Sequence, residues 1–206
     1  GPAELGFRAH IPEVQIKLRF DGSTHEDTRA EVLSRVVGVL GDAVYTVDGG
    51  DLAETVVEGL KSAGETVAFA ESCTAGLISA WIADVPGASS VLNESVVVYS
   101  NDAKTRLAGV PSELIAEHGA VSEPVARALS EGMLERADSA WAVGITGIAG
   151  PGGGSDHKPV GTVHISVSGP TGTTHQHAVI PGSRQQVRKR AAGAALALLL
   201  RCFGQR

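Results

Sequence analysis

The 206-residue chain is longer than one small domain and shorter than two ordinary ones, so one core with an appendage is expected. Hydrophobic residues at 43% and charged residues at 19% are enough to bury a core and exclude a disordered chain. The net charge of −6 is unevenly spread: −3 over residues 1–49, −9 over 50–183, and +6 over 184–206, which carry no acidic side chain. An acidic body with only 4% aromatics argues against a nucleic-acid binder, which needs a basic surface and stacking platforms. The basic end reads as a terminal helix with its arginines docked on the body.

Glu13–Phe20 alternates Val14, Ile16, Leu18 and Phe20 with polar residues, the pattern of a half-buried strand. His25–Leu40 spaces Val32, Leu33, Val36, Val37 and Leu40 as a helix, and Gly41 stops it. With a short strand over Ala43–Val47, residues 1–49 form a βαβ piece, an α+β remnant too small to bury much surface alone. Asp48-Gly49-Gly50-Asp51 marks the boundary with a second unit, 50–206. There a helix (Asp51–Ser62) leads to a buried strand (Thr66–Ala70) and a helix from Ala75 to Ala83. Next come a strand (Ser95–Tyr99), a helix capped by Ser122 (Ser122–Arg136) and a buried strand (Ala140–Ile145). A hairpin (Val160–Val167 with Thr174–Ile180) and a long helix (Ser183–Phe203) complete the unit. Strands alternating with helices call for an α/β fold, a sheet covered by helices on both faces.

Cys73 and Cys202 are too few for a disulfide framework and form no CxxC pair. The longest apolar stretch, Ala191–Leu200, is too short to span a bilayer, and no signal peptide opens the chain. Gly1-Pro2 reads as a protease-cleavage remnant. The chain is expected to be cytoplasmic, and to be a piece of a longer protein.

Three segments can carry chemistry. In Ala70-Glu71-Ser72-Cys73-Thr74-Ala75-Gly76 an apolar strand ends and a helix begins, placing Ser72 where open α/β sheets put their sites. N–H groups from Cys73 to Gly76 can bind an anion or a developing oxyanion there, although a Ser or Thr helix cap gives the same pattern. In Tyr99-Ser100-Asn101-Asp102-Ala103-Lys104, a lysine at a similar junction is either solvated or, if desolvated near Ser72, a general base of lowered pKa. Tyr99 can then relay or orient the proton. Gly144–Gly161 follows a buried strand, and its glycines either cradle a phosphate or simply turn the chain. His175 and His177, with His164 opposite, supply part of a metal site, but no carboxylate or thiolate completes the set, so a hydrated face is the simpler reading. Cys73 is a rival nucleophile or a small buried hydrophobe.

The motifs AESCTAG (70–76), YSNDAK (99–104), GAVSEPVA (119–126), GITGIAGPGGG (144–154) and KPVGTV (158–163), with Arg184 and Arg188, resemble the C-terminal domain of the CinA proteins. The single-domain relatives of that domain are the PncC nicotinamide-mononucleotide amidases. The likeness covers residues 52–203, and segment 1–49 resembles the end of the KH-like linker domain of CinA. It implies a three-layer α/β/α sandwich that hydrolyses the carboxamide of nicotinamide mononucleotide to nicotinic acid mononucleotide and ammonia, with no metal and no cofactor. Ser72 is then the nucleophile, Lys104 the base and Tyr99 the proton-handling partner. Glu71, Cys73, Thr74, Gly76, Asn101, Thr146, Gly147, Gly150, Gly152, Gly153, Arg184 and Arg188 are the expected substrate-binding residues. A homo-oligomer is expected, with neither nucleic acid nor membrane as partner. Ala75 stands where the family usually has a second glycine, and its methyl is expected to crowd the helix start or the substrate. A nucleotide-binding or assembly module that kept the pocket but lost turnover is the alternative.

Overall fold

Residues 3–204 are described by the computed structural model, so Gly1-Pro2 lies outside the described residues. Strands β1 (Ala3–His10) and β2 (Glu13–Phe20) pair antiparallel, Ala3 opposite Phe20 and His10 opposite Glu13, and helix α1 (Glu26–Leu40) follows. The unit is therefore ββα rather than the βαβ expected. After Gly41 the Val44 amide turns back onto the Gly41 carbonyl (3.0 Å), so Ala43–Val47 starts as a tight helical turn and forms no strand. No residue of α1 is fully buried, as expected for so small a unit.

Asp51 opens α2 (Leu52–Ala63) with a reciprocal cap: its carboxylate accepts from the Glu54 amide, and the Glu54 carboxylate from the Asp51 amide. Gly64, with φ 66°, ends it in the left-handed region that glycine tolerates best. The buried strand β3 (Val67–Glu71) then leads to α3 (Leu77–Ala83) and β4 (Leu92–Val97). Helix α4 (Asn101–Ala108), α5 (Ser112–His118) and α6 (Glu123–Ala137) precede β5 (Trp141–Gly147). The β6 (Thr162–Gly169) and β7 (Gly172–Val179) hairpin and α7 (Arg184–Gly204) close the chain. Ser122 precedes α6, but its hydroxyl donates to the Gly119 carbonyl instead of capping the helix.

The sheet runs β4-β3-β5-β6-β7, parallel across β4, β3 and β5 and antiparallel from β5 to β7. Helices cover both faces, giving a three-layer α/β/α sandwich. On one side Phe69, Trp141, Val143 and Ile145 pack with α2, α3 and α7, each large side chain contributing roughly 2–3 kcal/mol by leaving water. On the other, Ala68, Ala70 and Ala142 meet α4, α5 and α6. A side chain at Gly144 would lie 2.5 Å from the Ser130 backbone, so α6 rests directly on β5. The carboxyl ends of parallel β3, β4 and β5 share one rim. Residues 72, 98–104 and 146–150 gather there.

Candidate functional site

Ser72 leaves β3 with its amide on the Ile145 carbonyl (3.0 Å), and its own carbonyl accepts from the Ala75 amide (3.2 Å). The chain makes a tight turn before α3 begins. Ala75 and Gly76 both take positive φ, 52° and 87°, which delays the helix two residues past its expected start. Ala75 is exposed, so its methyl crowds neither helix nor cavity, contrary to expectation; what it imposes is a left-handed backbone. Ser72 is 7% exposed, and its hydroxyl has no hydrogen-bond partner among the described residues.

Glu71 does not approach the site. Sharing the strand parity of Val67 and Phe69, it points to the α3 side, is 0% exposed, and accepts from the amides of Ile78 (3.2 Å) and Ser79 (2.9 Å) and from the Ser79 hydroxyl. The anion site at the start of α3 is thus filled by the protein's own carboxylate.

Lys104 lies in the first turn of α4, whose cap is the Ser100 hydroxyl. It is 2% exposed, and Nζ donates to the carbonyls of Val98 (2.9 Å) and Tyr99 (3.4 Å). Burial holds the amine below the usual lysine range, the nearby Cys73 only partly opposing it. A neutral amine has two N–H donors, and two carbonyls take them, which leaves the lone pair free. Burial, with Glu71 adding to it, pushes the Cys73 thiol up to about 12, so it stays protonated.

Ser72, Cys73, Tyr99, Asn101, Lys104, Thr146, Gly147 and Arg184 line one cavity of about 200 Å³, with Ala120, Val121 and Ala149. No hydrogen bond joins Ser72 to Lys104. Thr146 donates to the Ala120 carbonyl (2.8 Å), and Lys158 ties down the same wall through the carbonyls of His118 (2.9 Å) and Val121 (2.8 Å). The sequence reading gave no role to Ala120, Val121, Ala149 or Lys158, although GAVSEPVA and KPVGTV contain three of them. Tyr99, 55% exposed, accepts from Arg184 (2.7 Å), which also donates to the Gly150 carbonyl (2.8 Å).

The remaining expected contacts lie outside the cavity lining. Thr74 is buried with its hydroxyl unpartnered, and Gly76 turns the chain into α3. Gly150 offers its carbonyl to Arg184, while Gly152 and Gly153 are exposed, because the loop closes on itself through Ile148, Ser155, Lys158 and Gly161. Arg188 donates to the carbonyls of Cys73 (3.2 Å) and Thr74 (2.6 Å) rather than into the cavity. The three histidines do meet. His164 stacks on His177 (4.6 Å between centroids) and its Nδ1 lies 3.1 Å from Nε2 of His175, which faces Glu123. Burial first, then the neighbouring histidines, hold His164 at about 4. Among the described residues no three His, Cys, Asp or Glu side chains converge as metal ligands.

Lys104 and Arg184 thus line the cavity while Lys158 and Arg188 hold its walls from behind; their partners are backbone carbonyls and one phenol, and among the described residues none has a carboxylate partner. Among the described residues no helix is long and apolar enough to cross a membrane.

The CinA C-terminal domain family matches residues 50–203. A CinA-like protein of Anaeromyxobacter sp. (strain K) is 50% identical over 95% of this chain and 48% of its own length. A putative competence-damage inducible protein of Symbiobacterium thermophilum is 45% identical over 94% and 48%. The chain therefore spans about half the length of these relatives. The crystal structure of the competence/damage inducible protein CihA from Agrobacterium tumefaciens is similar, with a TM-score of 0.73, 36% identity, and coverage of 78% of this chain and 99% of that one. A CinA superfamily protein from Klebsiella pneumoniae 700603 gives a TM-score of 0.72 and 31% identity over 75% and 97%. Sequence, sandwich and rim agree, and the chain belongs to the CinA family through its C-terminal domain.

Proposed function

We propose that this chain hydrolyses the carboxamide of nicotinamide mononucleotide to nicotinic acid mononucleotide and ammonia. One observation carries the reading: an unpartnered serine hydroxyl and a buried, depressed lysine amine line the same cavity, with the Arg184 guanidinium on its wall. Ser72 Oγ attacks the amide carbon while its proton passes to Lys104 Nζ. The carbonyl electrons move to oxygen and return as the C–N bond breaks, with ammonia taking the proton from Lys104. Water, deprotonated by the same amine, then releases the acid from Ser72. Tyr99, accepting from Arg184, keeps its own O–H free to hydrogen-bond the leaving nitrogen and orient it toward the proton that Lys104 delivers. The cavity of about 200 Å³ suits the pyridine carboxamide, with the phosphate reaching outward to Arg184.

Ammonia release from the mononucleotide tests this directly. Wild type should turn over, Ser72→Ala should not while still binding, and Cys73→Ala should keep most activity. An active Ser72→Ala beside a dead Cys73→Ala would make the thiol the nucleophile. Binding without ammonia release from wild type would leave a nucleotide-binding module, the alternative role.

A further inference from the structure

Arg188 was expected to meet a phosphate, yet its guanidinium reaches across from α7 to two consecutive carbonyls, Cys73 (Nε, 3.2 Å) and Thr74 (NH2, 2.6 Å). These belong to the two central residues of the turn closed by the Ala75 amide on the Ser72 carbonyl. A peptide unit is planar, and its N–H points opposite to its C=O. Holding the Cys73 and Thr74 carbonyls therefore fixes the planes of the two peptides that follow them; the second of these carries the Ala75 amide, whose bond to the Ser72 carbonyl in turn orients the Ser72–Cys73 peptide and its Cys73 amide. Within the turn, the Thr74 amide donates to no acceptor among the described residues and the Cys73 amide meets only its own thiol sulfur, a weak acceptor, whereas Ala75 is taken by Ser72 and Leu77 by Thr74. Of these two amides, only that of Cys73 belongs to a residue that lines the cavity.

We infer that Arg188 is a positioning residue: by clamping the Cys73 and Thr74 carbonyls it sets the turn so that the Cys73 amide stands ready beside Ser72 to receive the oxyanion. The inference rests on the Ser72 acyl-transfer reading and adds a distant residue to it. An N–H of the residue after a nucleophile is well placed for such a role when the nucleophile sits on a sharp strand-to-helix turn. The fork matters because one planar guanidinium can meet two neighbouring carbonyls at fixed angles, which a lysine ammonium cannot do with the same rigidity. Backbone strain gives the clamp something to oppose. Ala75 and Gly76, just beyond the clamped pair, both hold positive φ, and an unclamped turn is free to relax away from it.

The test uses Arg188→Lys and Arg188→Ala in the intact chain, with kcat and KM for ammonia release, melting temperature, and the rate at which a fluorophosphonate labels Ser72. That last step forms an Oγ–P bond and expels fluoride. It needs a working serine and oxyanion donor but no nucleotide. Positioning predicts kcat lowered 10- to 100-fold with KM within about threefold, the scale on which misplacing a reacting group acts. Labelling should slow in parallel, Arg188→Lys should recover part of the loss, and millimolar guanidinium should rescue Arg188→Ala. A raised KM at unchanged kcat would overturn the inference in favour of a phosphate contact. So would an activity loss in both variants that matches only the fraction unfolded. Wild type that labels at Ser72 yet releases no ammonia removes the mononucleotide reading alone, and equal labelling of wild type and both variants removes the clamp alone.

Discussion

Replacing Glu71 with Gln isolates how the start of α3 is held. The carboxylate is wholly buried, has no cationic partner among the described residues, and accepts two amides and a hydroxyl from the first turn of the helix. Glutamine keeps the shape but presents an NH2 where one of these donors needs an acceptor. A buried N–H left unsatisfied costs about 1–3 kcal/mol, and loss of the anion at the helix N-terminus adds roughly 0.3–2 kcal/mol where partly buried. Neutralising a buried charge returns some desolvation free energy, so the net expectation is about 2–3 kcal/mol of destabilisation. With a urea m-value of about 2–3 kcal/mol/M for a chain of this size, the unfolding midpoint should fall by about 1 M. Urea titration followed by circular dichroism gives the number. A midpoint within 0.2 M of wild type (about 0.5 kcal/mol on that slope) would refute the assignment of Glu71 as the helix's internal anion.

Two further outcomes follow from the turn and the lysine. Lys104→Met should lower kcat far more than affinity, and in wild type the rising limb of the pH–rate profile should lie below the usual lysine pKa, because burial depresses the amine. The same depression means that the unfolded chain binds the proton more tightly. Stability should therefore rise with pH between the folded value and the unfolded one, a slope that Lys104→Met removes and that pH-dependent urea melts detect. Ala75→Gly should relieve a left-handed alanine worth about 1–2 kcal/mol while adding about 0.5–1 kcal/mol of unfolded-chain entropy, leaving a gain of roughly 0–1.5 kcal/mol. A lower melting temperature for that variant would contradict the strained turn.

The helix and strand periods of the body were legible because each element buries one face. Leu52, Val56, Val57 and Leu60 are all buried at the predicted spacing, and the β6–β7 hairpin lies within two residues of its expected bounds. The N-terminal unit was misread because β1 carries Gly6 and leaves its apolar residues exposed, so no buried face disciplined its pattern. Helix α5, seven residues after Pro111, is too short for periodicity to show. At the candidate site, strand-to-helix junctions announced Ser72 and Lys104, since residue type and chain reversal are both visible in sequence. Direction was harder. Glu71 shares its parity with Val67 and Phe69, which does mark it as inward, but adjacency to Ser72 suggested otherwise. Arg184 and Arg188, one helical turn apart, are equivalent in sequence, and only the fold decides that one lines the cavity while the other holds the turn behind it.

The electrostatic design ties these pieces together and can be perturbed at one residue. A chain of net charge −6 would repel an anionic substrate if its cavity reflected the whole, yet Arg184 on the cavity wall, with Lys158 and Arg188 behind it, meets only neutral dipoles among the described residues. Carbonyls hold a cation in place without cancelling its charge, whereas a carboxylate would do both. Asn101→Asp tests this by placing one anion on the cavity lining at the exposed first residue of α4, where the fold tolerates it. Two like charges about 7 Å apart, in a medium between protein surface and water, repel by roughly 1 kcal/mol, or about fivefold in affinity. KM for the mononucleotide should rise by that factor, the rise should shrink at high ionic strength, and KM for the phosphate-free riboside should move much less. An equal rise for both substrates would mean that Asn101 acts through a hydrogen bond to the shared ring or ribose. No rise for either would show that charge at the cavity does not govern binding.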